Sequence, residues 1–256
     1  SLFPSHNQSI EEISNLIHQN FEVMYSKTIK LNKKGQLNYV HNLYHGESWV
    51  GNKQNRYPGA VEKSNKCFTN GDEVTVLLLQ SDNQNSLLSL KQDVRSICNV
   101  GKHSIHINDT QEETWRIASS VFNKNSIHFL NNSCIGQTEK FDNYFIQYKN
   151  IIKNRKDKYD FCVDASAVLS AYGLRDCRDL DFLHLCNIGN LTNDISCHNM
   201  ESHHYDIDKN DIIYDPKMHF YVHGIKMANI EVIKNMKISR DEQKDRVDVK
   251  LIGGLS

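Results

Sequence analysis

Residues 159–185 constrain the fold more than any other stretch. Residues 159–163 form a short apolar run of strand type, and 165–172 have the small and apolar residues of a short helix. Gly173 stops that helix, a polar turn carries Arg175 and Arg178, and 180–185 read as strand again. Strands and helices that alternate this closely make the fold class α/β (α+β).

The rest of the chain fits that class. Ser9-Ile10-Glu11-Glu12 reads as a capping box. It opens an amphipathic helix that carries Ile10, Ile13, Leu16, Ile17, Phe21 and Met24 on one side. Residues 25–72 read as loop-rich, punctuated by Gly35, Gly46, Gly51, Gly59 and Gly71. A buried strand is predicted at 73–80, a helix at 86–100 and strand-like alternation at 101–107. Thr110-Gln111-Glu112-Glu113 is a second capping box, for a helix reaching Phe122. A strand is predicted at 126–130 and a helix at 139–154 whose aromatics Phe141, Tyr144, Phe145 and Tyr148 belong to the core. A β segment at 218–225 precedes helices at 229–238 and 241–252. The change of pattern places a boundary at 136, between an N-terminal α/β region of unassigned role (1–136) and a core (137–256).

Composition removes several function classes. Thirty basic side chains against thirty-one acidic ones leave a net charge of -1, which argues against general nucleic-acid binding. The longest apolar run, Val74-Thr75-Val76-Leu77-Leu78-Leu79, is far too short to cross a bilayer, and no secretory leader is read at the start. The seven cysteines stand singly with no CxxC pair, against a disulfide framework or a four-cysteine zinc site. A cytoplasmic protein with reduced thiols is the expectation, in which the sequons at Asn7, Asn131 and Asn190 stay unused.

The chemistry concentrates at Asp179-Leu180-Asp181. Residues i and i+2 of a strand face the same way, so the two carboxylates project together. They repel unless a cation lies between them, and a hard cation such as Mg²⁺ or Mn²⁺ takes carboxylates together with substrate phosphates. Small residues at 165–166 let the backbone amide of Ser166 approach a phosphate, and Arg175 and Arg178 are bidentate phosphate donors in reach of the same turn.

The segment resembles the nucleotidyltransferase superfamily, in its polymerase β-like and toxin–antitoxin branches. Ala165-Ser166 stands where that family has Gly-Gly or Gly-Ser, and Asp179-Leu180-Asp181-Phe182 stands at its carboxylate strand. Downstream, Lys237, Arg240, Lys244-Asp245 and Asp248 resemble the family's C-terminal helices. The resemblance implies a mixed sheet flanked by helices, and a metal-dependent transferase that moves a nucleotidyl or phosphoryl-linked group from a nucleotide donor to a small-molecule, glycan or protein acceptor. It makes Asp179 and Asp181 the catalytic metal ligands, with Ser166, Arg175, Arg178 and Lys237 on the phosphates. It also implies a third carboxylate from a later strand. The candidates are Asp206, Asp208, Asp211 and Asp215, with His219 where a carboxylate is expected. Two rival readings are a GT-A-like glycosyltransferase, with a sugar nucleotide bound through the DxD, and a catalytically degenerate module that binds a ligand or partner.

Other polar clusters have plainer explanations. The run 237–250 reads as an exposed helix face with pairs such as Lys244–Asp248. His41, His45, Glu47 and Trp49 read as a packed loop, and His103 and His106 as strand residues facing opposite sides. His198, Glu201, His203 and His204 read as a flexible active-site loop; imidazole chemistry leaves metal binding as the alternative, but no defined ligand spacing supports it.

Overall fold

A computed structural model describes residues 1–5, 10–81 and 83–255. The expected Ser9 cap and the Asn7 sequon lie outside the described residues. The chain divides into two units, Ser1–Phe122 and Asn123–Ser256.

The first unit contains α1 (Ile10–Asn20), β1 (Glu22–Lys30), α2 (Lys33–Leu43), α3 (Pro58–Cys67), β2 (Glu73–Gln80), α4 (Gln84–Cys98) and α5 (Gln111–Val121). β1 and β2 form an antiparallel ribbon with an irregularity between Val23 and Tyr25. Ile13 and Ile17 of α1 pack with Leu90, Val94 and Cys98 of α4 and with Ile105 in one buried cluster. Burying each such aliphatic side chain stabilises by roughly 1.5–3 kcal/mol.

Three expectations fail in this unit. Met24 lies on β1, 55% exposed, because the chain leaves the helix at Asn20. The loop-rich stretch contains two helices. Asn32 caps α2 by accepting from the Gly35 amide, and Pro58 starts α3, so Gly35 and Pro58 mark helix starts rather than loops. The stretch predicted as strand at 101–107 is a 3-10 turn, Gly101–His103, followed by one bridge from Ile105 to Leu2. The Thr110 cap is present, accepting from the Glu113 amide. Glu113 reaches back to the Asp109 amide.

The second unit contains α6 (Lys124–Asn132), α7 (Glu139–Ile152), β3 (Phe161–Asp164), α8 (Ala165–Ala171), β4 (Leu180–His184), β5 (Ile195–Cys197), α9 (Lys209–Tyr214), β6 (His219–Val222), β7 (Ile225–Ala228), α10 (Ile230–Arg240) and α11 (Gln243–Gly253). Its sheet has the order β5-β4-β3-β7-β6. β3 pairs antiparallel with β4 and parallel with β7, and β4 pairs parallel with β5, so the sheet is mixed. Every residue of the central strand β3 is buried. Phe161, Val163, Phe182, Phe220 and Met227 from the sheet join Tyr148 of α7, Leu169 of α8 and Ile233 of α10 in one core.

The strand expected at 126–130 is the helix α6, capped by Asn123 accepting from the Ser126 amide. A short apolar run does not distinguish strand from buried helix, and the cap decided it. Phe141, Phe145 and Tyr148 are core residues, as expected. Gly173 adopts φ +74°, and an added Cβ would run into the Cys134 carbonyl. A left-handed residue without a side chain is therefore required where α8 ends. Among the described residues, no helix is long and apolar enough to cross a membrane.

Candidate functional site

Asp164 is the last residue of β3 and Asp181 the second of β4, and the antiparallel register sets these two carboxylates directly opposite each other. Asp179 immediately precedes β4. Asp164 and Asp181 thus lie side by side at one end of the β3–β4 pair, with Asp179 on the turn that leads into β4.

Asp164 is fully buried. Its Oδ2 accepts from His198 Nδ1 at 2.9 Å, and its Oδ1 accepts from the Tyr205 hydroxyl. Each oxygen keeps a second lone pair. Burial alone would lower the His198 pKa, but the Asp164 carboxylate reverses this and raises it. Burial next to the same carboxylate raises Tyr205 far above the usual phenol value.

Asp181 has no such support. Burial lifts its carboxyl to about 6, and Asp164 and Asp179 push in the same direction against the opposing pull of His198 and Arg240. A half-buried carboxylate with two like charges beside it and no hydrogen-bonding cation holds a proton, or a cation, more readily than an ordinary aspartate. The donors are all hard oxygens, and such a set suits Mg²⁺ or Mn²⁺ rather than a soft metal.

The residues predicted to meet phosphate have different surroundings. Ser166 is half-buried in the first turn of α8, where its carbonyl accepts from Ser170 Oγ. Ala165 before it has φ +49°, a left-handed conformation that glycine adopts without strain. Arg178 is exposed on the turn before β4. Arg175 instead forks onto Asp248, Nε to Oδ1 at 2.5 Å and Nη2 to Oδ2 at 2.7 Å. Lys237 is 2% exposed and binds Asp245 at 3.1 Å and Asp248 at 2.7 Å. Arg240 completes the network with two 2.8 Å bonds to Asp245. Burial would raise both aspartates, but these cations outweigh it and hold both carboxyls below the usual range. The run expected to be an exposed helix face is thus, at Lys237, Asp245 and Asp248, a buried ion network between α10 and α11.

Two of the later-strand candidates for a third carboxylate have local roles. Asp208 caps α9 through the Asn210 amide, and Asp215 accepts from the Lys217 amide. His219 is buried with Nδ1 donating to the Ile212 carbonyl, and burial holds it down at about 4. Asp164 stands nearer the pair than sequence reasoning expected. The signal for it was its place at the end of an apolar run, immediately before the small residues Ala165 and Ser166.

The remaining histidines divide. His41 packs edge-on against Tyr57 and is lowered to about 4 by burial, as a packed residue should be. His106 faces Glu113 at 3.2 Å. Glu201, His203 and His204 do cluster, on the 3-10 turn Asn199–His204.

The chain has no significant match among protein-family models, curated proteins or solved structures.

Proposed function

We propose that the second unit is a Mg²⁺- or Mn²⁺-dependent transferase that moves a nucleotidyl or phosphoryl-linked group from a nucleotide donor to a small-molecule, glycan or protein acceptor. The observation that carries this reading is the register of Asp164 against Asp181, with Asp179 alongside and Asp181 left uncompensated. Asp179 and Asp181 hold the metal. Asp164, fixed by His198 and Tyr205, would add its negative charge to that of the pair. The metal supplies charge neutralisation on the donor's phosphates. Arg178, exposed on the turn before β4, and the Ser166 amide, in the first turn after β3, are the groups proposed to meet phosphate. Arg175 and Lys237 act indirectly, by fixing α10 and α11 around Asp245 and Asp248.

The engagement of Arg175 and Lys237 leaves few cations for a polyphosphate, and this favours a second reading, a module that binds a ligand without transferring a group. The glycosyltransferase reading gains no support from the first unit, whose described strands form only an antiparallel ribbon rather than a βαβ unit. Phosphorus NMR on the protein with Mg²⁺, a panel of nucleoside triphosphates and sugar nucleotides, and a cell extract as acceptor source separates the three. Pyrophosphate or phosphodiester formation from a triphosphate, lost in Asp181→Ala, supports transfer. Turnover of sugar nucleotides alone moves the assignment to glycosyl transfer, and unchanged donors throughout favour the binding module.

A further inference from the structure

We infer that Glu201, His203 and His204 form a second metal site, for a borderline transition cation of the Zn²⁺ type, separate from the hard-cation carboxylates. One ligand atom from each residue lies within 4.8 Å of the other two. The tetrahedral bonds of such an ion, about 2.0–2.2 Å to imidazole nitrogen and carboxylate oxygen, are reached from there by small side-chain rotations.

Three further observations distinguish this cluster from a chance surface group. His203 Nδ1 lies 2.9 Å from the Met200 carbonyl, which can only accept. That nitrogen therefore carries the proton and Nε2 carries the lone pair, the arrangement metal-binding histidines use to fix ring orientation. The two imidazoles lie with ring centroids 4.0 Å apart, so their nitrogens are held close together on adjacent residues. His204 Nε2 already faces Glu201 Oε2 at 3.4 Å, in the place a bridging cation would take. As an ion pair that contact is partly exposed and contributes little. As two corners of a coordination sphere it becomes useful, with His203 as the third corner and solvent as the fourth.

The donor set decides the metal class. Two imidazoles with one carboxylate suit Zn²⁺, Co²⁺ or Ni²⁺ and are poor ligands for Mg²⁺, which demands oxygen donors. The turn lies between His198 and Tyr205, the two residues that hold Asp164. An ion here pins that turn at both ends of the Asp164 support. This inference does not depend on the proposed transfer reaction.

The test is a Co²⁺ titration of the untagged full chain at neutral pH, followed by visible absorption and then displacement with Zn²⁺. The expected result is a four-coordinate cobalt spectrum that saturates at an equimolar amount and is erased by equimolar Zn²⁺. Loss of a ligand should weaken binding by at least the roughly 10–100-fold that loss of an orienting partner costs a metal site, so His203→Ala and Glu201→Gln should both abolish the spectrum at that concentration. Asp181→Ala should leave it intact, which keeps this result separate from any failure of the carboxylate site. A six-coordinate spectrum only, saturation well below equimolar, or a signal that survives His203→Ala or disappears in Asp181→Ala would overturn the inference.

Discussion

The second unit treats charge in two opposite ways. Between α10 and α11, Asp245 and Asp248 are buried, and Lys237, Arg240 and Arg175 compensate them with directed hydrogen bonds. At the end of β3–β4, Asp181 is half-buried beside Asp164 and Asp179, and no cationic side chain of this chain bonds it in the described structure. The first arrangement is what a fold needs. The second costs stability, and a bound cation would offset that cost. Lys237 and Arg240 are engaged by Asp245 and Asp248, and Arg240 acts on Asp181 only through its charge, without a hydrogen bond.

The largest expected effect breaks the compensated region. Lys237→Met removes the cation that touches both aspartates and should destabilise by about 3 kcal/mol or more, because buried charges lose a partner. Chemical denaturation at neutral pH reads it as a lower midpoint with an unchanged slope. The uncompensated region should respond with the opposite sign. Asp181→Asn removes a carboxylate that is costly to ionise, and at neutral pH without metal it should stabilise by on the order of 2 kcal/mol. A loss of stability in Asp181→Asn would mean that the carboxylate is compensated after all.

The pH dependence sharpens the same comparison. Asp245 and Asp248 have depressed values, so their contribution is present above about pH 4 and is lost as pH falls further. Asp181 is raised to about 6, so the folded form holds its proton more tightly than the unfolded chain, and stability falls as pH rises from about 4 to about 6. The stability gap between Asp181→Asn and wild type should therefore be near zero below that window, widen through it and level off above it. Denaturant titrations at closely spaced pH values check this.

Smaller effects bracket α8, which has a left-handed residue at each end. Gly173→Ala adds a Cβ against the Cys134 carbonyl and should cost about 2 kcal/mol. Ala165→Gly relieves a left-handed alanine and should gain no more than about 1 kcal/mol, offset in part by the lost buried methyl. Thermal unfolding of the two variants side by side tests whether the strain lies at Ala165 alone.

The elements read correctly from sequence were those with unambiguous punctuation. Gly173 fixed the end of α8, Thr110 the start of α5, and the alternation Leu180-Asp181-Phe182 placed β4. The misreadings have local causes. Asn32, Pro58 and Asn123 start helices, yet the nearby glycines and the short apolar run at 127–130 resembled loop and strand. In the candidate site, the closeness of Asp179 and Asp181 follows from one local stretch. That of Asp164 depends on the register of β3 against β4, which its place at the end of an apolar run does not specify, and His198 and Tyr205 reach it from a turn with no periodic signal. The burial of Asp245 and Asp248 was likewise hidden, since a charged helix looks solvated until the packing of α10 on α11 is known.

The central claim is that Asp179 and Asp181 bind a divalent cation together with a nucleotide's phosphates. Thermal unfolding of the wild type and Asp181→Ala, with Mg²⁺ or Mn²⁺ and a panel of nucleoside triphosphates and sugar nucleotides, tests it most directly. A ligand at 100 times its Kd should add about 2.7 kcal/mol to the wild type. The account predicts a shift that requires both metal and a nucleotide and that disappears in Asp181→Ala. No shift with any combination, or one that persists unchanged in Asp181→Ala, would contradict it.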